Sequence, residues 1–357
     1  MDTFNSVDFY IVLVYNISKY GILYKKLWEG FMNMDSTINT DIAVSIICNA
    51  YNHEKYIAKA LQSFVMQKTD FAFEVLVHDD ASTDNTAKII KEYEEKYPDL
   101  IKAIYQTENQ YSKGHGIVGK IQWGRAKGKY IAMCEGDDYW TDPLKLQKQY
   151  DALEAHPEVD ICAHCCAVVN AKTNKLLQYL SPADERTILT VEQVIEGDGG
   201  YVSTNSLMYR SKINENLPEF RKFYTIDYTL QIYGALRGGM LYIPDCMGVY
   251  HYMVKGSWTS AQANNKIRAK NHLKKVIDML EILDKETDYK YTVQVTNVIN
   301  YYELRYYLSD TDTYKKAKEP KYRDSFKKLA FKERLCVNLQ LYFPWVLNIW
   351  KKIKGKK

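Results

Sequence analysis

Four short β-rich runs, AVSIIC (43–48), FEVLVHD (73–79), IKAIYQ (101–106) and KYIAM (129–133), recur through the first third of the chain. Helical patterns are interleaved with them. Ile57, Ala60, Leu61, Phe64 and Val65 share one face of KYIAKALQSFVMQ, the spacing of an amphipathic helix. NTAKIIKEYEEKY follows Ser82, Thr83 and Asp84, which are good N-cap residues, and ends at Pro98. Pro143 opens PLKLQKQYDALEAH. Strands alternating with helices at this spacing predict an α/β fold with a mostly parallel sheet and helices on both faces. Ligands bind beyond the carboxyl ends of strands in such sheets. Three polar turns, NAYNHE, DDASTD and EGDDYW, stand at those ends, so they should converge on one cleft.

From about Val159 the pattern changes. VDICAHCCAVVNAKTNKLLQYL reads as two strands around a turn at KTN, and NSLMYR, GMLYIP and MGVYHYM as further strands. DYTLQIYGALR is a helix between the first two of these, and the chain is mostly helical after Ser260. The expected organisation is an N-terminal extension at 1–40, an α/β domain at 41–260 and a helical region at 261–357.

Composition removes several function classes. Lys and Arg number 48 against 44 Asp and Glu, a net charge of +4, which is not the field of a nucleic-acid binder. The 7 cysteines include the single CxxC of CAHCC. No second ligand pair stands at zinc-site spacing, so the cysteines of CAHCC read as buried thiols of a strand, which fits a reducing compartment, here the cytoplasm. The apolar stretch FYIVLVYNI near the start is too short to span a bilayer.

The acidic turn is the sharpest signal. Glu135, Asp137 and Asp138 crowd four positions after a buried strand, and carboxylates repel and resist desolvation unless a cation sits among them. In a shared cleft, Tyr51 could stack on a base and Asn49 bond its edge. Asp80 could accept from an imide N–H, Asp137 could take a ribose hydroxyl, and Asp138 could hold a divalent cation bridging two phosphates. Such an ion is oxygen-seeking, Mn2+ or Mg2+ by chemistry. No Gly-rich phosphate loop follows the first strand.

VSIICNAYNHEKYI, FEVLVHDDASTDNT and KYIAMCEGDDYWTDPLKLQKQ together resemble the family-2 glycosyltransferases, nucleotide-sugar enzymes of GT-A fold, over roughly residues 42 to 260. The resemblance implies that Tyr51 and Asp80 hold the base with Glu54 beside them, and that EGDD is the metal element, with Asp138 as ligand. It also implies a catalytic base at Asp227 in FYTIDYTLQIYGALRGG. VYHYMVKGSW is similar to a loop that folds over the diphosphate, which brings in His251, Lys255 and Trp258. The chain departs from the pattern at Asn49, Ala81, Glu135, His251 and Met253. Trp140 and Tyr201 are further acceptor-site aromatics to test.

The resulting expectation is a metal-dependent inverting glycosyltransferase of cell-surface polysaccharide synthesis. The donor would be a nucleotide sugar, UDP-linked by preference, and the acceptor a glycan or a lipid-linked sugar. The alternatives are a sugar-nucleotide-binding module without catalysis and a nucleotidyltransferase, whose Gly-rich loop is missing. At the C-terminus, Val346, Ile349, Trp350 and Ile353 form one apolar stripe beside Lys351, Lys352 and Lys354. Residues 335–357 therefore suggest a basic amphipathic contact with an anionic membrane surface, equally open to docking on the catalytic domain.

Overall fold

A computed structural model describes residues 41–114, 116–343 and 345. The expected extension at 1–40 and the apolar stripe at 346–353 lie outside the described residues.

The order of elements is β1 (Val44–Ala50), α1 (Ile57–Val65), β2 (Phe73–Asp79), α2 (Thr86–Lys96), β3 (Ile101–Tyr105), α3 (Ile117–Arg125), β4 (Tyr130–Met133), β5 (Tyr139–Trp140), α4 (Lys145–Ala155), β6 (Ile161–Asn170), β7 (Leu176–Leu180), β8 (Thr187–Leu189), α5 (Val191–Glu196), β9 (Met208–Arg210), α6 (Glu219–Phe223), α7 (Asp227–Ala235), β10 (Met240–Tyr252), α8 (Trp258–Asn264), α9 (Lys266–Glu286), α10 (Thr292–Leu308), α11 (Arg323–Lys328) and α12 (Phe331–Tyr342). The sheet runs β3-β2-β1-β4-β9-β6-β10-β5, with β7 on β6 and β8 on β10. Its first four strands are parallel, and β9 is antiparallel to both neighbours, β4 and β6. The α/β class with a mostly parallel sheet is as the sequence implied.

Burial explains why these segments are strands. Six of the seven residues of β1, and six of the seven of β2, are buried, which is the continuous apolar signature of a sheet covered on both faces. One core packs α1 and α4 on one face, with Ile57, Leu61, Phe64, Leu146 and Leu153 at its centre. The other face is covered by α5 and α7 and also by α9 and α10, whose Val276, Leu280, Leu283, Val295 and Val298 join Ile161, Tyr209 and Tyr242 in a single cluster. The C-terminal helices are thus fastened to the sheet by apolar burial.

Two local patterns differ from the sequence reading. GMLYIP and MGVYHYM form one strand, β10, whose pairing with β6 shifts between Ile243 and Cys246 and again between Cys246 and Gly248. Pro244 and Asp245, poor strand residues, occupy the first irregularity. Helix α3 carries no amphipathic signal, having Gly119 and Gly124 inside it. It is held from the far side of the sheet, because buried Gln122 donates to the carbonyls of Cys48 and Leu76.

Candidate active site

The carboxyl ends of β1, β2 and β4 deliver the three polar turns to one edge, and the turns fasten one another. The Asn52 N–H donates to Ser82 Oγ at 2.9 Å, and Asn52 Oδ1 accepts from the Thr83 N–H at 2.8 Å. His53 N–H donates to Thr86 Oγ1 at 2.7 Å. The third turn joins through Gly136, whose N–H donates to the Asn49 carbonyl at 2.9 Å. A Cβ on Gly136 would lie 3.0 Å from Ala50, His53 and Ile57 at once, so the EGDD turn can press against β1 only with glycine there.

Ala81 sits in the left-handed region at φ 63°, where the sequence departs from a glycine. For alanine that conformation costs about 1–2 kcal/mol. The cross-turn bonds hold it there.

The acidic residues face a cleft with little positive charge near them. Asp137 and Asp138 are buried, while Glu135 is open to the cleft. Asp138 Oδ1 accepts from the His251 N–H at 2.9 Å, and His251 Nδ1–H donates to the Asp137 carbonyl at 2.6 Å. The His251 ring lies between Tyr56 and Tyr139, with centroids 5.2 and 5.6 Å away. His251 therefore anchors the acidic turn to the end of β10. The nearest cation to Asp137 is His53 Nε2 at 3.7 Å, and only if that ring is protonated.

Burial first, and then the charges of Asp137 and Glu135, push the Asp138 carboxyl well above the usual range. Glu135 is raised by the atoms walling the cleft and by Asp137 and Asp227. Among the described residues no three His, Cys, Asp or Glu side chains form a ready-made metal cage. The donor set suits a hard dication that takes part of its shell from phosphate: buried carboxylate oxygens raised by like charge and lacking a firm cation.

Asp227 begins α7 across the cleft. Its Oδ2 accepts from Thr204 Oγ1 at 2.8 Å and its Oδ1 from the Tyr228 N–H at 2.8 Å. Burial raises its carboxyl, with these two bonds opposing. Its charge acts on Glu135, so the start of α7 lies near the acidic turn. Two other acids of the second half are engaged elsewhere, Asp245 with Lys148 and Glu219 with Lys222.

The nucleotide-side residues divide. Tyr51 is 42% exposed and free to stack. Asn49 is half-buried, its Oδ1 accepting from Gln122 Nε2 at 3.3 Å. Asp80 is buried and accepts from the Gln110 N–H at 2.7 Å, the Tyr111 N–H at 3.0 Å and His78 Nε2 at 3.2 Å. A carboxylate offers about four lone-pair positions, so one remains on Asp80. The Glu54 carboxylate is engaged with Asn85, accepting from its N–H and side-chain amide at 3.2 and 3.0 Å. Trp140 is buried and its Nε1–H donates to the Asn205 carbonyl at 2.8 Å; it is a core residue, not an acceptor-site aromatic. Lys255 and Trp258 are exposed on the segment that leaves β10.

Sequence reasoning did not find Thr204, Gln122 or Arg268. Arg268, from α9, donates to the Tyr111 hydroxyl at 3.4 Å, and Tyr111 in turn feels Glu135. No motif marks these residues, because their partners are far away in the chain. The five Lys and Arg between 266 and 275 were the available signal.

The family model described as glycosyl transferase family 2 matches residues 45–217. An uncharacterized protein of Mycobacterium tuberculosis is 37% identical over 224 residues, covering 62% of this chain and 62% of that protein, so the chain spans less than two thirds of that relative. A Bacillus subtilis protein named for teichuronic acid biosynthesis, the glycosyltransferase TuaG, is 34% identical over 108 residues, 30% of this chain and 40% of that one. Among solved structures, Staphylococcus aureus TarS (residues 1–349, with UDP) aligns with a TM-score of 0.53 at 18% identity, over 82% of this chain and 77% of that one. The mannosyltransferase PcManGT of Pyrobaculum calidifontis, in complex with GDP-Man and Mn2+, aligns with a TM-score of 0.53 at 16% identity, over 96% and 99%. The structural likenesses establish the GT-A fold. Residues 45–217 are thus similar to glycosyl transferase family 2.

Proposed function

We propose that the protein is a metal-dependent inverting glycosyltransferase that moves a sugar from a nucleoside diphosphate donor to a hydroxyl of a glycan or lipid-linked acceptor in cell-surface polysaccharide synthesis. The observation that carries it is the buried acidic turn of Asp137 and Asp138 at the strand ends, with a second carboxylate, Asp227, held by Thr204 and Tyr228 and acting on Glu135. A UDP-sugar is the favoured donor, in line with TarS, whose structure holds UDP. The base stacks on Tyr51 and bonds Asn49, and its imide N–H uses the open lone pair of Asp80. Asp137 takes the ribose. Asp138 ligates Mn2+ or Mg2+, which when bound neutralises charge on the leaving diphosphate; PcManGT holds Mn2+. Lys255 and His251 border the diphosphate, with His251 acting through the turn it anchors. Glu54 acts indirectly, by fixing the second turn.

Asp227 is the general base. Burial makes it a stronger base than a solvated carboxylate, and the Thr204 and Tyr228 bonds fix its direction. It takes the proton of the acceptor hydroxyl as that oxygen bonds the anomeric carbon. The bond from this carbon to the diphosphate breaks, and its electron pair leaves with the diphosphate. One base opposite one leaving group gives inversion.

The site of action would be the cytoplasm, peripheral to the membrane through residues 335–357. No described helix is long and apolar enough to cross a membrane. Phe331, Leu335, Tyr342, Phe343 and Trp345 are exposed at the C-terminal end, which suits a surface contact. Anionic vesicles should bind the full chain more tightly than a chain ending at Phe343.

Calorimetry with UDP and GDP, with and without Mn2+, tests the central reading. Nucleotide should bind more tightly with Mn2+, and Asp138→Asn should abolish that gain. Equal metal dependence in the variant overturns the assignment of Asp138.

A further inference from the structure

Beside the cleft lies a cavity of about 610 Å³ formed by residues of α6, α8 and α9 and by Tyr224. That volume falls within the range of about 300–1,000 Å³ typical of ligand sites. It lies wholly beyond the segment matched by the family model, which ends at 217.

Its electrostatics are unusual for a helix start. Helix α9 opens with Lys266, Arg268, Lys270, Lys274 and Lys275, and Asp278 is its first acid. The N-terminal end of a helix carries partial positive charge and favours acids. Lys266, Lys270 and Lys274 also repel along i, i+4 spacing. Among the lining residues Asp278 is the single acid against the three cations Arg268, Lys274 and Lys275. Lys270 pairs with Asp310 at 3.7 Å, while no ion pair among the described residues engages Arg268, Lys274 or Lys275, all of which line the cavity. Lys275 lies over the Tyr224 ring, 5.4 Å from its centroid.

The remaining lining suits a saccharide. Trp258, 39% exposed, stands edge-on to His272 at 4.8 Å and leaves part of its surface to the cavity. Such a ring offers an apolar platform with a polar edge. Asn271 adds an amide for hydroxyls. Two of its lining residues also lead toward the acidic turn and Asp227. Tyr224 stands three residues before Asp227 and feels its charge, and Arg268 reaches Tyr111.

We propose that this cavity seats the acceptor and that the acceptor is an anionic saccharide, bearing carboxylate or phosphate groups along the chain that ends in the reacting hydroxyl. The proposal rests on the glycosyltransferase reading above and specifies its acceptor class. Trp258 stacks a sugar ring, while Arg268, Lys274 and Lys275 meet the anionic groups.

The test uses the full chain saturated with UDP and Mn2+, and three probes of equal length. These are an oligogalacturonate, a phosphorylated maltooligosaccharide and a neutral maltooligosaccharide. Binding is measured by calorimetry at low and at physiological ionic strength. At least one anionic probe should bind about ten-fold more tightly than the neutral one, a difference of about 1.4 kcal/mol, and the preference should shrink with salt. The two anionic arms separate carboxylate from phosphate. Lys274→Glu/Lys275→Glu should erase the preference and Lys274→Arg/Lys275→Arg should keep it, with circular dichroism reporting the fold of each. Equal binding of all three probes, binding of none, or an undiminished preference in the glutamate variant overturns the proposal. Failure to bind UDP at all would instead strike the glycosyltransferase reading, since that measurement involves no acceptor.

Discussion

The two walls of the cleft are built on different principles. On the nucleotide side, residues 49–54, 79–86 and 135–138 lie at strand ends and bond directly to one another, largely through backbone groups. On the acceptor side, Thr204, Asp227, Trp258 and Arg268 come from four separate elements held together by apolar packing of α7, α9 and α10 on the sheet. The first wall is rigid because its turns are mutually wedged. The second is a composite, and its chemistry can be altered one helix at a time.

The largest effect should come from separating the walls chemically. Asp227→Asn should lower transfer by roughly 10²–10⁴, the range of a lost general base, while nucleotide affinity stays near that of the parent protein. Kinetics of transfer alongside calorimetry decide it; poor nucleotide binding with unimpaired turnover per complex would mean that Asp227 belongs to the other wall.

Next comes the weak point beneath the first wall. Lys145 is fully buried, its Nζ is 3.7 Å from the centroid of the Trp140 ring, and it has no hydrogen-bond partner. Burial pulls its ammonium down to about 7. Between about pH 7 and the ordinary lysine value the unfolded chain binds the proton and the native one does not, so stability should rise with pH across that window. Lys145→Met should remove that slope and stabilise the protein near neutrality by roughly 1–4 kcal/mol, read from denaturant midpoints at several pH values. A destabilised variant would show that the cation–π contact outweighs desolvation.

A smaller shift should sharpen the role of Thr204. Its hydroxyl lowers the Asp227 carboxyl, so Thr204→Val should move the acidic limb of kcat/KM to higher pH, by up to about one unit for one bond to a charged group. An unmoved limb with reduced kcat would reduce Thr204 to packing.

The smallest effect concerns strain in the first wall. Ala81→Gly relieves the left-handed alanine and should raise stability by roughly 0.5–1 kcal/mol after the added chain entropy of glycine, measured by urea unfolding.

The sequence by itself determined the parallel half of the sheet, the convergence of its three turns and the helix start at Asp227. All of these follow from strand and helix periodicity and from turn residues that show directly in the chain. Tertiary structure alone decided what several of those residues do. Glu54 looks like a ligand residue until its carboxylate is seen on Asn85, and Trp140 looks like a sugar platform until its indole is seen bonded to the Asn205 carbonyl. Helix α3 was illegible because its stability comes from Gln122 reaching under β1 and β2, not from an amphipathic face. The basic opening of α9 could be counted in the sequence, but not its position. Apolar burial of Val276, Met279 and Leu280 in the core sets Lys274 and Lys275 in one cavity with Tyr224, and such burial is non-directional, so no local pattern announces where it will carry a charge.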